Sequence, residues 1–248
     1  KVDDLEQKKV VAFLPVALAF LGVIFANIKT LQYANVETFI VFRASTPLVI
    51  SLCDYFFLGR TLPELRSWLT LIGLLAGAIG YVYTDSGVEV KGYMWVMAWY
   101  GIFCFDQCYI KYAVDNVQMD SNWGRVYYCN LLASIPLVPV AYQELMSGEM
   151  VWTAGSITAL SVSCALGCGI SYFAFSCRKV LSATAFTVVG NGCKIATVVI
   201  NYMIWDLHAS PEAIMFLLVS LACAALYKQA PLRKIPASGS TSEIASNV

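Results

Sequence analysis

Charged residues are scarce in this chain of 248 residues: they make up 13% of it, whereas 59% of the residues are hydrophobic. A typical soluble domain has about 25% charged and about 45–50% apolar residues, so this apolar excess is more than one water-facing fold can bury. The composition therefore excludes a soluble globular enzyme. The 16 Lys and Arg residues balance the 16 Asp and Glu residues, so the net charge gives no support for binding nucleic acid.

Histidine is almost absent as well, since the chain has one, His208, in a polar loop. No hydrophobic segment offers paired carboxylates or a His/Cys/Asp set for acid–base or nucleophilic catalysis. Two cysteine pairs are spaced four residues apart, Cys104 with Cys108 and Cys164 with Cys168, but neither has a histidine nearby to complete a zinc site. We interpret the cysteines as small, buried, reduced core residues. We expect no enzyme activity, no catalytic residue, no metal and no cofactor.

Eight long apolar segments are present, and a membrane helix needs about 20 such residues. They span residues 10–28, 38–58, 67–83, 92–110, 127–142, 156–176, 183–205 and 211–227. We therefore predict an all-α polytopic membrane protein with eight transmembrane helices and a transporter domain over residues 10–228. Residues 1–9 are a cytosolic N-terminal segment that we expect to be truncated, and residues 229–248 are a polar, disordered cytosolic tail.

Basic residues lie mainly on one side of the predicted bundle. With eight spans both termini share a side, and that side carries twelve Lys and Arg residues, whereas the other carries Lys29 and Lys91. Because cytosolic loops retain Lys and Arg, we predict that both termini are cytosolic and that the loops near Glu89, Glu149 and His208 are luminal. The twelve are Lys1, Lys8, Lys9, Arg60, Arg66, Lys111, Arg125, Arg178, Lys179, Lys228, Arg233 and Lys234.

Small residues recur at about one helical turn, for example Gly73 with Gly77, and Gly167 and Gly169 with Ser171. Such spacing allows helices to approach closely in lipid, and simple helix packing explains it. A single-span receptor or an anchored enzyme does not need eight such helices. The pattern favours a bundle that encloses a cavity.

Four charged residues lie inside the predicted spans, where insertion scales assign a cost of about 2.5–3.5 kcal/mol to such a residue. Asp54 and Asp106 lie toward the cytosolic ends of their segments, where water or a loop lysine can satisfy them, and we interpret them as structural. Arg43 and Lys194 have apolar residues on both sides and no acidic residue within one turn. These two are candidate anion ligands.

The surroundings of Lys194 are small and polar. At helical spacing Asn191, Lys194 and Asn201 share a stripe, and Gly190 and Gly192 leave room for a ligand or a looser backbone. A polar stripe that merely joins helices is the alternative interpretation.

A second polar group begins the fifth segment. Tyr127 and Asn130 share one face, which provides a ring for stacking and an amide that can read the edge of a base. Tyr127 and Tyr128 are also typical of aromatic anchors at a membrane interface. Asn130 lies deeper in the segment and favours a binding role.

Four short motifs are spread over almost the whole chain. They are Lys29-Thr30-Leu31-Gln32-Tyr33, Phe42-Arg43, Gly169-Ile170-Ser171-Tyr172, and Ser182-Ala183-Thr184 followed by Val189-Gly190. In these motifs the chain resembles the nucleotide-sugar transporters of the drug/metabolite transporter superfamily, in particular the GDP-mannose transporter type. The resemblance implies ten helices in two inverted five-helix repeats. This chain resembles the C-terminal eight, so we expect two further spans upstream in the precursor.

The same resemblance implies a substrate site. Tyr127-Tyr128-Cys129-Asn130 matches the family's Phe-Tyr-Asn-Asn motif, associated with guanine recognition. Gly190-Asn191-Gly192-Cys193-Lys194 matches its Gly-Ala-Leu-Asn-Lys motif, associated with the nucleotide sugar. Each has a cysteine in place of an asparagine, which weakens the match to GDP-mannose itself and leaves transport of some nucleotide sugar intact.

We therefore expect an antiporter of the Golgi membrane that exchanges a cytosolic GDP-sugar, GDP-mannose or a similar one, for a luminal nucleoside monophosphate. The two cations neutralise the diphosphate, and the residues of the fifth segment hold the base. Membrane lipid and a second copy of the chain, in a homodimer, are the other expected partners. The alternatives are a UDP-sugar or sugar-phosphate transporter of the same superfamily and a membrane scaffold or receptor without transport. The predicted substrate-binding residues are Arg43, Tyr127, Tyr128, Asn130, Gly190, Asn191, Gly192 and Lys194.

Overall fold

Eight α-helices make up the computed structural model, which describes residues 4–33, 36–84, 93–146, 152–204 and 211–233. Each helix overlaps one predicted apolar segment, so the prediction of an all-α fold with eight helices is confirmed. The helices are α1 (Gln7–Tyr33), α2 (Val36–Phe56), α3 (Leu65–Thr84), α4 (Tyr93–Asn116), α5 (Asn122–Met146), α6 (Ala154–Val180), α7 (Ala183–Ile204) and α8 (Pro211–Leu226).

Several helices extend past the predicted segments, because polar residues continue the helix beyond its apolar stretch. Helix α4 continues to Asn116, beyond the predicted end at residue 110, and α6 continues to Val180, beyond residue 176. Asp106 therefore lies within α4 rather than near its end. Arg178, counted above as a loop residue, belongs to the last turn of α6.

Two of the described helices, α1 and α6, are long and apolar enough to cross a membrane by length and composition. Two further apolar stretches, Leu65–Gly80 and Ile214–Leu226, are shorter. Large apolar side chains such as Ile170 and Phe173 are exposed on α6. A continuous exposed apolar surface of this kind is typical of contact with lipid.

The helices form two groups of four. Helices α1, α4, α5 and α6 pack together, as do α2, α3, α7 and α8, and contacts of α4 with α2 and α7 join the groups. Trp99 and Phe103 of α4 and Phe39 of α2 form much of the core at that junction. The junction therefore places side chains of α2 and α4 close to each other.

Glycines allow α3 and α8 to pack closely. A Cβ atom at Gly73 would lie 2.6 Å from the sulfur of Cys223, and one at Gly77 would overlap the side chain of Ser220. The expected close approach at Gly73 and Gly77 is confirmed. At Gly167 and Gly169 the same expectation is wrong, because a Cβ atom there meets open space on the outside of α6.

Hydrogen bonds fasten one end of the bundle, where the chain after α8 returns to the loop between α2 and α3. The Arg60 guanidinium donates to the carbonyl oxygen of Ala230 at 2.7 Å, and the amide of Arg233 donates to the carbonyl oxygen of Gly59 at 2.8 Å. Residues 229–233, assigned above to a disordered tail, are therefore packed in place. Residues 234–248 lie outside the described residues, as do the loops that contain Glu89, Glu149 and His208.

Four of the twelve cations counted as cytosolic loop charges are buried instead: Arg60, Lys111, Arg125 and Arg178. The ammonium of Lys111 donates to the carbonyl oxygen of Arg178 at 2.7 Å. Arg125 donates to the carbonyl oxygens of Val114, in the last turn of α4, and of Val117, just after it. They hold helix ends together because a carbonyl at a helix C-terminus has no partner within its own helix.

The cysteines are less buried than predicted. All nine are free thiols, but Cys104 alone is fully buried, and Cys164, Cys168, Cys177 and Cys193 are exposed. The prediction of a core position is wrong for these four, because in a bundle with an apolar exterior a small apolar residue is equally compatible with an outward position.

Candidate functional site

Helices α2 and α7 bring two cations together. The side-chain amide of Asn191 on α7 donates to the carbonyl oxygen of Arg43 on α2 at 3.1 Å. Lys194 follows one turn later on α7, and the positive charges of Lys194 and Arg43 repel each other. Within the described ranges, no acidic side chain forms an ion pair with either cation. An anion placed here would relieve the repulsion.

Aromatic rings, not a carboxylate, surround Arg43. Its guanidinium carbon lies 5.8 Å from the ring centre of Phe39, 5.9 Å from that of Trp99 and 5.6 Å from that of Phe103. Trp99 and Phe103 are one turn apart on α4 and stack on each other with centres 5.0 Å apart. Cation–π contacts stabilise a guanidinium without neutralising it. The charge of Arg43 therefore remains available to an anion.

A cavity of about 250 Å³ lies beside this cationic face, between α1, α4, α5 and α6. Phe103 belongs to both, since its ring contacts Arg43 and also lines the cavity. The polar residues that line the cavity are Asp106, Gln107, Asn130, Ser171 and Arg178.

Asp106, Gln107 and Arg178 form a buried network at the cavity. The Gln107 amide donates to Oδ2 of Asp106 at 2.9 Å, and Nη2 of Arg178 donates to Oε1 of Gln107 at 3.0 Å. The Arg178 guanidinium also lies 3.8 Å from the ring centre of Phe186 on α7. Gln107 thus joins an anion of α4 to a cation of α6.

Comparison with known proteins identifies the family. No protein-family model matches the chain. GDP-fucose transporter 1 of Arabidopsis thaliana is 38% identical over 241 residues, which cover 90% of this chain and 70% of that protein. The chain belongs to the nucleotide-sugar transporter family.

Two more relatives agree with this assignment. The GDP-mannose transporter GONST3 of Arabidopsis thaliana is 35% identical over 94% of this chain and 64% of its own length. A UDP-sugar transporter of Drosophila melanogaster is 22% identical over 71% of this chain and 48% of its own length. The chain thus spans somewhat less than two thirds of GONST3. A crystal structure superposes with a TM-score of 0.69 over 90% of this chain at 16% identity, which shows a shared fold alone.

Membership of a nucleotide-sugar transporter family confirms the resemblance drawn from the motifs. It also confirms that the chain is a multi-pass membrane protein and a transporter, not an enzyme.

In this nucleotide-sugar transporter the predicted site residues of α5 lie in different environments. Asn130 and its neighbour Cys129 line the cavity. Tyr128 is fully buried, and its hydroxyl donates to the carbonyl oxygen of Asp4 at 2.5 Å and accepts from the amide of Glu6 at 2.9 Å. Tyr127 is 41% exposed, and neither tyrosine is among the residues lining this cavity. Tyr128 thus fastens the N-terminal segment to α5.

The two predicted glycines of α7 also lie in different environments. A Cβ atom at Gly190 would meet open space, whereas one at Gly192 would lie 3.6 Å from the side chain of Ala224 on α8. Gly190 leaves room near Asn191, and Gly192 serves helix packing. The side chain of Asn201, the last member of the predicted stripe, lies outside the described residues.

The sequence alone does not identify Gln107 and Arg178 as part of the site, and it assigns Asp106 a structural role. Arg178 was counted with the loop charges, and Asp106 was expected near a helix end with water or a loop lysine as its partner. A signal was available, because Phe105-Asp106-Gln107 places a charge and an amide inside a strongly apolar segment. Only the longer course of α4 and α6 in the structure brings these side chains to the cavity.

Proposed function

We propose that this chain transports a GDP-sugar across a membrane. The observation that supports this most directly is the pair of cations, Arg43 and Lys194, beside a cavity, since neither cation has an acidic partner in the described part of the chain. The names of the two plant relatives, a GDP-fucose and a GDP-mannose transporter, support GDP as the nucleotide.

The diphosphate occupies the face of α2 and α7. A phosphate anion at mid-membrane depth is costly without a partner, because the local dielectric constant is low. Arg43 and Lys194 supply two fixed positive charges, and Asn191 holds the backbone of Arg43 in place through its 3.1 Å hydrogen bond. Gly190 leaves space for the ligand next to these groups.

The nucleobase occupies the neighbouring cavity. Asn130 lines this cavity, and its side-chain amide offers both a donor and an acceptor. Tyr127 is partly exposed on the same helix, and we assign its ring a stacking contact with the base. Of the predicted base-binding set, Tyr128 contributes through the position of α5, since its hydroxyl is already bonded to the backbone.

The transport cycle is an exchange of the GDP-sugar for a nucleoside monophosphate across the Golgi membrane, with all eight helices crossing it as part of two inverted repeats. Both termini face the cytosol, a proposal that rests on the unequal distribution of Lys and Arg. Lipid, or a second copy of the chain in a homodimer, covers the exposed apolar side of α6. Labelling of a cysteine-containing tag at Glu149 from the cytosolic side would contradict this orientation.

Uptake into proteoliposomes tests the substrate. Radiolabelled GDP-mannose, GDP-fucose and a UDP-sugar are supplied outside vesicles preloaded with GMP, UMP or no nucleotide. We expect GDP-sugar uptake that depends on internal GMP. Uptake of the UDP-sugar alone, driven by UMP, would instead support the alternative suggested by the Drosophila relative. Absence of all uptake, with intact binding, would support a receptor or scaffold.

A further inference from the structure

Two buried side chains at the cavity each keep one polar atom without a partner. Asp106 and Arg178 are both 7% exposed, and both line the cavity. Oδ1 of Asp106 and Nη1 of Arg178 have no hydrogen-bond partner. Buried polar atoms are nearly always hydrogen-bonded, because leaving one unpaired is costly. Asp106 therefore brings an unsatisfied acceptor, and Arg178 an unsatisfied donor, to the wall of the cavity.

Gln107 holds the two groups in a fixed arrangement. It donates to the carboxylate of Asp106 and accepts from the guanidinium of Arg178. Gln107 therefore links the acceptor on α4 to the donor on α6. A matching ligand needs a hydrogen-bond donor and an acceptor on one edge.

Guanine has this pattern, and the other common bases have it less completely. Its edge carries the O6 acceptor next to the N1–H and N2–H₂ donors. Adenine presents a donor at N6 and a lone pair at N1, which would face the carboxylate unfavourably. Uracil has a single N–H group between two carbonyl oxygens, so its second oxygen would face the carboxylate.

The size and walls of the cavity also suit a flat base. Its volume of about 250 Å³ is below the range of about 300–1,000 Å³ for sites that hold a whole drug-sized ligand. Phe20, Phe103 and Phe175 contribute aromatic walls. The cationic face of Arg43 begins at Phe103, so phosphates attached to a base in the cavity lie toward Arg43 and Lys194.

We propose that Asp106 and Arg178 determine the nucleobase specificity of this transporter: the Asp106 carboxylate accepts from N1–H and N2–H₂ of guanine, and Arg178 donates to O6. Gln107 is the positioning residue between them. This inference rests on the proposed function, because it assumes that the cavity receives the base of the transported nucleotide.

Monophosphates of three purines test the assignment by ligand-dependent thermal stabilisation of the purified protein. Inosine monophosphate differs from GMP by lacking the N2 amine. Xanthosine monophosphate has an oxygen at that position but keeps N1–H. We expect the parent protein to bind GMP at least about tenfold more tightly than either analogue, since each loses a hydrogen bond to a charged acceptor.

The substitution Asp106→Asn reverses part of this preference. The new amide donates to O2 of xanthine while its oxygen accepts from N1–H, so we expect xanthosine monophosphate to gain and GMP to lose about tenfold in affinity. Asp54→Asn is the matched control, because Asp54 is an equally buried carboxylate that does not line the cavity. It should leave the ratio of GMP to xanthosine monophosphate unchanged.

Several outcomes would overturn the assignment. An Asp106→Asn protein with the parent's nucleotide ratio would do so, as would an equal change in the Asp54→Asn control. If Asp106→Asn does not fold, nucleotide binding by the parent protein tests the assignment. Equal binding of GMP and inosine monophosphate excludes a carboxylate that accepts a hydrogen bond from N2–H₂. Failure of the proposed function is distinct: the parent then binds no guanine nucleotide and takes up no GDP-sugar.

Discussion

Replacing Lys194 by alanine is expected to have opposite effects on the free and the ligand-bound protein. In the free protein the Lys194 ammonium and the Arg43 guanidinium repel each other, and in the described part of the chain no carboxylate compensates either. The side chain of Lys194 is exposed. Two unit charges at 4 Å interact by about 1 kcal/mol where water screens them. Removing one should therefore leave the melting temperature unchanged or raise it by roughly 2–4 °C.

With a nucleotide sugar present, Lys194→Ala has the opposite effect and lowers the stability relative to the parent protein. A hydrogen bond to a charged group contributes about 1.5–3 kcal/mol, which corresponds to roughly 10–150-fold in affinity. At a ligand concentration well above both dissociation constants, the ligand-induced stabilisation of Lys194→Ala falls by the same free energy. For a chain of this size we expect a thermal shift smaller by roughly 3–12 °C.

The assay is thermal unfolding of the purified parent, Lys194→Ala and Lys194→Arg proteins with and without GDP-mannose. Lys179→Ala is the control, because Lys179 is an exposed lysine in the last turn of α6. Lys194→Arg retains the charge but should impair exchange in vesicles, since the planar guanidinium is larger and binds phosphate through two donors. Equal stabilisation of the parent and Lys194→Ala by GDP-mannose would refute the site. A large loss of stability of the free Lys194→Ala protein would refute the repulsion between the cations.

Five further substitutions test how the bundle is held together and what Asn130 contributes. Asp54→Ala should lower the free energy of unfolding by about 1–3 kcal/mol in a denaturation series. The reason is that the Asp54 carboxylate accepts hydrogen bonds from the backbone amide and the hydroxyl of Thr184 at the start of α7. Gly77→Val should lower the free energy of unfolding by about 1–3 kcal/mol or prevent folding, whereas Gly167→Ala should have no effect on thermal unfolding. Similar behaviour of the two variants would contradict the close packing of α3 and α8. Tyr128→Phe should lower thermal stability by the loss of its hydroxyl hydrogen bonds but change nucleotide affinity little, because the ring still packs against Phe13 of α1 and keeps α5 in position. Asn130→Ala should lower nucleotide affinity and leave thermal stability unchanged.

The interpretation of α5 shows the limit of a motif. Tyr127-Tyr128-Cys129-Asn130 suggested two rings and an amide at one ligand, and the structure places Cys129 and Asn130, but neither tyrosine, at the cavity. Successive residues of a helix point about 100° apart, so a run of four cannot share a face. Which member meets the cavity depends on the neighbours of the helix, and α1 covers Tyr128.

The sequence by itself determined the eight helices, the positions of their apolar stretches, and the presence of Arg43 and Lys194 as charges within them. Such features are local, since a helix satisfies its backbone hydrogen bonds within its own segment and its apolar length is visible residue by residue. The tertiary structure alone decided which charges form the site. Gln107 and Arg178 are 71 residues apart in the sequence, and no local pattern relates Arg178 to Gln107 or to its neighbour Asp106. Their meeting depends on how α4 and α6 pack around a common cavity, because a side chain's partners across a bundle are set by helix contacts and not by spacing along the chain.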